Sequence, residues 1–150
     1  MAKTPVSLSV GKIGPDGQNN IAFKVREVAS FSMSFYQSID ADGQVTEVPR
    51  GGQISMRVKA LNDGNNELAC WMVDPKMQMD GTIIFWDTRT SNIMKILSFK
   101  DAYCINYIEH WQDTIHDDIL AHYEDITISC REITASKMIF TNNWDLEINT

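Results

Sequence analysis

Phe23-Lys-Val-Arg-Glu-Val-Ala-Ser-Phe-Ser-Met-Ser-Phe35 is the stretch on which the fold turns. Its apolar residues Phe23, Val25, Ala29, Phe31, Met33 and Phe35 occupy odd positions, whereas Lys24, Arg26, Ser30, Ser32 and Ser34 occupy even ones. Side chains of an extended chain alternate between two faces, so this period of two predicts a strand with one buried face. Glu27 and Val28 break the alternation, which predicts a bend or bulge within one long strand. A partner strand follows at residues 53–60, where Ile54, Met56, Val58 and Ala60 alternate with Ser55, Arg57 and Lys59. Between the two, residues 37–52 are polar, rich in Asp, Gly and Pro, and too many for a tight hairpin turn. A connection of that length is commonly a functional or a mobile one.

Outward from this pair the pattern stays extended. Val6, Leu8 and Val10 alternate with Ser7 and Ser9, predicting a short strand, and Gly14, Pro15, Asp16 and Gly17 mark a turn after it. Beyond Leu61 the period changes. Asn62, Asp63 and Gly64 form a breaker with an N-cap, Glu67 sits near the positive end of a helix, and Leu68, Trp71 and Met72 follow at i, i+3, i+4. Pro75 ends the helix after at most about three turns. A Leu-Trp-Met stripe on one short helix must be buried somewhere, so it is expected to pack on the sheets rather than to bind a cofactor.

From Gly81 strands resume: 82–86 and 93–99 read as a hairpin joined by a polar connection at 87–92. Lys100 and Asp101 interrupt, and 102–108 then alternates with Tyr103, Ile105 and Tyr107 on one face. Apolar groups on both faces predict central strands. Residues 109–122 read as a second long loop, 123–133 as a strand with a phase change at Glu132, and 138–140 as a last short strand, with Trp144 anchoring a polar tail. Seven or eight strands and one helix predict a mainly β fold: an antiparallel β-barrel, or two packed sheets, with one short flanking α-helix.

The length of 150 residues suits a single domain spanning 1–150 that can bury a core without metal or disulfide staples. A hydrophobic content of 43% with 22% charged residues is that of a soluble globular chain, and no segment approaches a transmembrane span. No signal peptide is recognisable at the start, so a cytoplasmic location is expected. The net charge of −7, with basic residues scattered singly, disfavours nucleic acid as a partner. Cys70, Cys104 and Cys130 lie far apart in apolar segments and are expected to be buried, reduced thiols.

Catalytic and metal constellations are not evident. His110, His116 and His122 are six apart, a step that scatters rings around a helix, and without a close Cys or His partner they make no zinc motif. They are expected to be solvated or capping. Asp117, Asp118, Glu124 and Asp125 lack the calcium-loop pattern and read as a solvated acidic loop. No nucleophile elbow, phosphate loop or dinucleotide fingerprint occurs, so neither enzyme activity nor a cofactor is expected.

Several segments carry a resemblance. Asp40-Ala-Asp-Gly-Gln-Val-Thr-Glu-Val-Pro-Arg-Gly-Gly-Gln-Ile-Ser-Met-Arg-Val is similar to the loop and following strand of the Hcp (TssD) family, the tube proteins of type VI secretion, especially its Bacteroidetes forms. Cys70-Trp71-Met72, Gly81-Thr-Ile-Ile-Phe-Trp, Leu97-Ser-Phe-Lys-Asp-Ala-Tyr-Cys-Ile-Asn-Tyr and Ile126-Thr-Ile-Ser-Cys-Arg-Glu-Ile continue it in the same order. The resemblance implies a two-sheet β-barrel with one helix, hexameric rings with a wide channel, and stacked rings that a contractile sheath expels. It implies sheath, spike and baseplate proteins and secreted effectors as partners, and secretion on firing. It assigns the ring-stacking loop to Ser38, Asp40, Asp42, Gly43, Val48, Arg50, Gly51 and Gly52, with the last three at its return into the strand. A longer connection between Trp111 and His122 and an added stretch before Ile21 depart from the pattern. Alternatives are a monomeric barrel that binds a small ligand, a phage-like tail-tube protein and, most distantly, a hydrolase using the histidine loop.

Overall fold

The computed structural model describes residues 6–12, 21–45, 50–61, 63–111, 122–142 and Trp144. The described chain forms β1 (Val6–Lys12), β2 (Ile21–Ala22), β3 (Arg26–Tyr36), β4 (Arg50–Lys59), α1 (Glu67–Val73), β5 (Met79–Trp86), β6 (Ile93–Trp111), β7 (His122–Ser129), β8 (Glu132–Ala135) and β9 (Met138–Thr141). Every strand pairing is antiparallel, and β1, β3, β4, β7, β6 and β5 close a ring in that order. β2 extends the ring from β1, and β8 with β9 extend it from β6. The mainly β architecture with one short helix is as the alternation predicts, with nine strands among the described residues where seven or eight were expected.

Two long strands make closure possible by serving both sheets. β3 pairs with β1 at Arg26 and Glu27, then with β4 from Val28 onward. The bulge expected at Glu27–Val28 lies one residue later, where the register slips between Val28 and Ser30. It also exchanges the faces of the strand: Arg26 and Val28 are buried before it, and Phe31 and Met33 are half-buried after it. Val25, expected on the buried face, is therefore 60% exposed, and Arg26, expected on the polar face, is buried.

β6 makes the second crossing. It pairs with β5 and β8 up to Ala102 and with β7 from Tyr103. Lys100 and Asp101, read as an interruption, lie inside the continuous strand and form its corner: Asp101 has φ 50°, its N–H donates to Asp80 at 2.9 Å, and its carboxylate meets Arg131 at 3.3 Å. A second slip between Cys104 and Asn106 pushes Ile105 outward, so Tyr103, Ile105 and Tyr107 do not share one face. Residues 109–111 and His122, expected in a loop, extend β6 and β7, with Trp111 opposite His122. His116, Asp117 and Asp118 lie outside the described residues.

The core fills the space between the sheets with Leu8, Ile54, Ile83, Leu97, Phe99 and Ile128, all nearly inaccessible. α1 closes one side by burying Leu68 and Trp71, with Met72 half-buried against the same cluster. The Trp71 indole N–H satisfies itself between the carbonyls of Met77 (3.2 Å) and Ala102 (3.1 Å). The helix ends at Val73, before the extended Asp74 that precedes Pro75. Its start is held by Asn65, whose side-chain oxygen accepts the Glu67 N–H at 2.9 Å, while the Asn65 N–H donates to Asp63 at 3.0 Å; Asn62 lies outside the described residues. Cys104 and Cys130 are buried, and desolvation pushes their thiols up to about 11 and about 12, whereas Cys70 is exposed, contrary to expectation.

Candidate assembly surface

The first part of the connection after β3, residues 37–45, is held by its own hydrogen bonds. Ile39 and Val45 form a β-bridge, and the N–H of Asp40 donates to the Gln44 carbonyl at 2.9 Å. One Asp40 carboxylate oxygen accepts the N–H groups of Asp42 and Gln44, both at 2.9 Å, and Gly43 supplies the left-handed residue of the turn at φ 83°. An aspartate that bonds its own following backbone is the usual way to close such a turn. The result is a folded tip with Ile39 64% and Val45 51% exposed, next to the exposed Tyr36. Of the residues assigned to this loop, Ser38, Asp40, Asp42 and Gly43 lie at the tip, and Arg50, Gly51 and Gly52 already belong to β4. Val48 is outside the described residues.

The outer faces of both sheets mix polar rows with exposed apolar residues. Beyond the core, β3, β4, β7 and β6 present a row formed by Ser32, Ser55, Thr127 and Asn106, with the Ser55 and Thr127 hydroxyls 3.0 Å apart. Next to it Arg57 holds Asp125 at 2.9 Å and lies over the Tyr123 ring. Across β5 and β6, Ile84 pairs with Ile96, and Met94 stands 70% exposed nearby. Large apolar residues are left in water on the facing sheet too, at Ile105, Ile108 and Trp111 of β6; exposed apolar groups of this kind are the pattern of surfaces that meet another protein.

At the end of the barrel the polar residues are paired. Arg26 and Glu124, 3% and 2% exposed, form a buried ion pair, and Arg26 also donates to the Lys59 carbonyl at 2.9 Å. The Tyr107 hydroxyl donates to the other Glu124 oxygen at 2.5 Å; burial and that carboxylate raise the phenol well above its ordinary range. Asp125 meets both Arg57 and His110, the latter at 3.1 Å, and hydrogen bonding from Arg57 holds its carboxyl below the usual range. His122 contacts Glu109 at 3.0 Å and stacks on Trp111, while His110 stacks on Tyr123. Glu124 and Asp125, expected in a solvated acidic loop, and His110 and His122, expected to be solvated or capping, are strand residues with side-chain partners, because β6 runs on to Trp111 and β7 begins at His122. Among the described residues no group of three or more His, Cys, Asp or Glu side chains could hold a metal ion. No described helix is long and apolar enough to cross a membrane. Sequence reasoning missed Arg26, Tyr107 and Glu124 as a unit; each sits in an alternating strand, and nothing local marks them as partners.

A closed barrel packed to its centre, with a folded tip that exposes Ile39 and Val45 and further large apolar residues left in water on its outer faces, suits a subunit that meets other proteins. The model of the family "Hemolysin coregulated protein Hcp (TssD)" matches residues 8–145, and the chain belongs to that family. It is accordingly a structural tube protein of type VI secretion, from a family of tube subunits rather than enzymes. Hcp1 from Flavobacterium johnsoniae is similar at 29% identity and TM-score 0.73, over 91% of this chain and 98% of that one. Hcp1 from the E. coli EAEC 042 pathovar shares the fold at 13% identity and TM-score 0.65, over 95% and 100%. A chain of the baseplate of the anti-feeding prophage shares it at 9% identity and TM-score 0.53, over 90% and 94%. No curated protein sequence matches.

Proposed function

We propose that this protein forms hexameric rings that stack into the type VI tube, and that the 38–52 loop makes the ring-to-ring contact. The observation that carries this reading is the tip itself: its backbone is internally bonded through Asp40, yet it holds Ile39 and Val45 in water. Preorganisation of this kind lowers the entropy lost on docking, which a slack loop would incur in full. Within a ring each contact is heterologous, so the exposed Met94 and Ile96 surface supplies one half of a lateral interface and a different surface supplies the other. The hydroxyl and amide row of Ser32, Ser55, Thr127 and Asn106 suits a channel wall past which cargo slides without sticking.

Sheath, spike and baseplate proteins and secreted effectors are the partners that follow, and the chain has no catalytic role of its own. A small-ligand barrel is disfavoured because Trp71, Phe99, Leu97 and Ile83 fill the interior. Light scattering and negative-stain imaging of the purified protein test the proposal. Rings are expected, with tubes at high concentration. Ile39→Asp with Val45→Asp should leave rings and abolish tubes, and Met94→Asp should yield monomers. Monomers from the unaltered protein at every concentration would overturn it.

A further inference from the structure

The loop between β3 and β4 does not merely end where β4 begins; both of its legs rest on β9. On the β3 side the register slips between Ser34 and Phe35, and the Phe35 ring packs on Phe140 with centroids 4.7 Å apart. On the β4 side Gly51 and Gly52 have φ of 108° and 64°, conformations that L side chains rarely adopt. A Cβ on Gly52 would overlap the Phe140 ring. Just past β9, the Asn142 side-chain amide donates to the carbonyls of Gly51 (3.2 Å) and Cys130 (2.8 Å), and its own N–H donates to Arg131 at 2.7 Å. The Cys130 N–H returns a bond to the Gly52 carbonyl at 3.1 Å.

These contacts have a common geometry. Asn142 ties the first residues of β4 to the β7–β8 junction, and Phe140 fills the space that the left-handed Gly52 leaves open. β9 is four residues long and lies at the end of its sheet, giving Phe140 to the core beneath the loop. We infer that Phe140 and Asn142 are positioning residues: they fix the angle at which the β3–β4 loop leaves the barrel, and β9 acts as a clasp on that loop. The clasp itself stands on the contacts above; its consequence for tube growth rests on the ring-stacking reading of the loop.

The test separates the two. Asn142→Ala in the full-length protein removes the side-chain bonds to Gly51 at the loop base and to Cys130 at the β7–β8 junction while leaving β8–β9 pairing in place. Backbone amide exchange at residues 38–45 should accelerate about tenfold, the factor expected when a local opening loses one or two modest hydrogen bonds. Exchange in β5 and the first half of β6 should stay unchanged, a split that general destabilisation would not produce. Unchanged exchange at 38–45 would overturn the clasp. If Asn142→Ala loosens β5 and β6 as well, Phe140→Leu, which keeps an apolar β9, decides by the same comparison, and equal loosening of loop and barrel there also overturns it. Tube assembly by the variants then addresses stacking: Ile39→Asp with Val45→Asp forming normal tubes would remove the ring-stacking reading and leave the exchange result standing.

Discussion

Glu124 and Asp40 do the same chemical job in opposite surroundings. Each is a carboxylate that holds together segments by accepting two hydrogen bonds, Glu124 from Arg26 and Tyr107, Asp40 from the backbone of Asp42 and Gln44. Glu124 is buried and joins β3, β6 and β7; Asp40 is exposed and joins only its own turn. Where water is excluded, losing a partner strands a charge; where water is present, it replaces the partner. Asp125, partly buried between Arg57 and His110, stands between the two. The barrel's closure and the turn at Asp40 are thus governed by one kind of interaction whose weight is set by its exposure.

The strongest way to break that ordering is Arg26→Met, which leaves Glu124 buried without its cation. Loss of one member of a buried pair typically costs about 3–5 kcal/mol, read as a lower urea midpoint. Gly52→Ala comes next. It meets both the left-handed backbone and the Phe140 ring, and a loss of about 1–3 kcal/mol in the same unfolding measurement is expected.

Asp125 sharpens the middle of the series through pH. Its carboxyl is held below its unfolded value, so the stability it contributes is present above about pH 4 and fades as pH falls through the folded value. Asp125→Asn should flatten the acid limb of a stability-against-pH curve and lower the neutral midpoint by well under half of the Arg26→Met shift. At the exposed end, Asp40→Ala should change global stability by no more than about 0.5 kcal/mol. It should nevertheless speed amide exchange at Asp42 and Gln44, and an effect as large as that of Arg26→Met would abolish the distinction. Thiol chemistry gives a parallel check on burial: a thiol reagent should modify Cys70 in the folded protein and leave Cys104 and Cys130 unreacted until unfolding.

How legible these features are in the sequence follows from the range of the interactions behind them. Ile54, Met56 and Val58 alternate with polar neighbours and are all buried, because the period of a strand is local and needs no partner to be seen. The 82–86 and 93–99 hairpin is readable for the same reason, whereas residues 37–52 read only as a long polar connection, and the Asp40 bonds that fold 39–45 into a tip emerge from the structure. Arg26 misleads because its polar character places it on the wet face, and only a bulge at Ala29 and a carboxylate 98 positions away turn it inward. Lys100 and Asp101 read as a break because charge interrupts alternation, whereas they turn the corner at which β6 changes sheets.

By itself, then, the sequence determined most strands of this protein, the place of its single described helix, the long connection after β3 and its family resemblance, all of which rest on local periodicity and on residue order. Only the tertiary structure decided where β3 and β6 change partners, that Arg26 meets Glu124 inside the barrel, and that β9 underlies the loop. These are contacts between segments distant in the chain, and antiparallel pairing across such distances is set by packing and register rather than by any neighbouring residue.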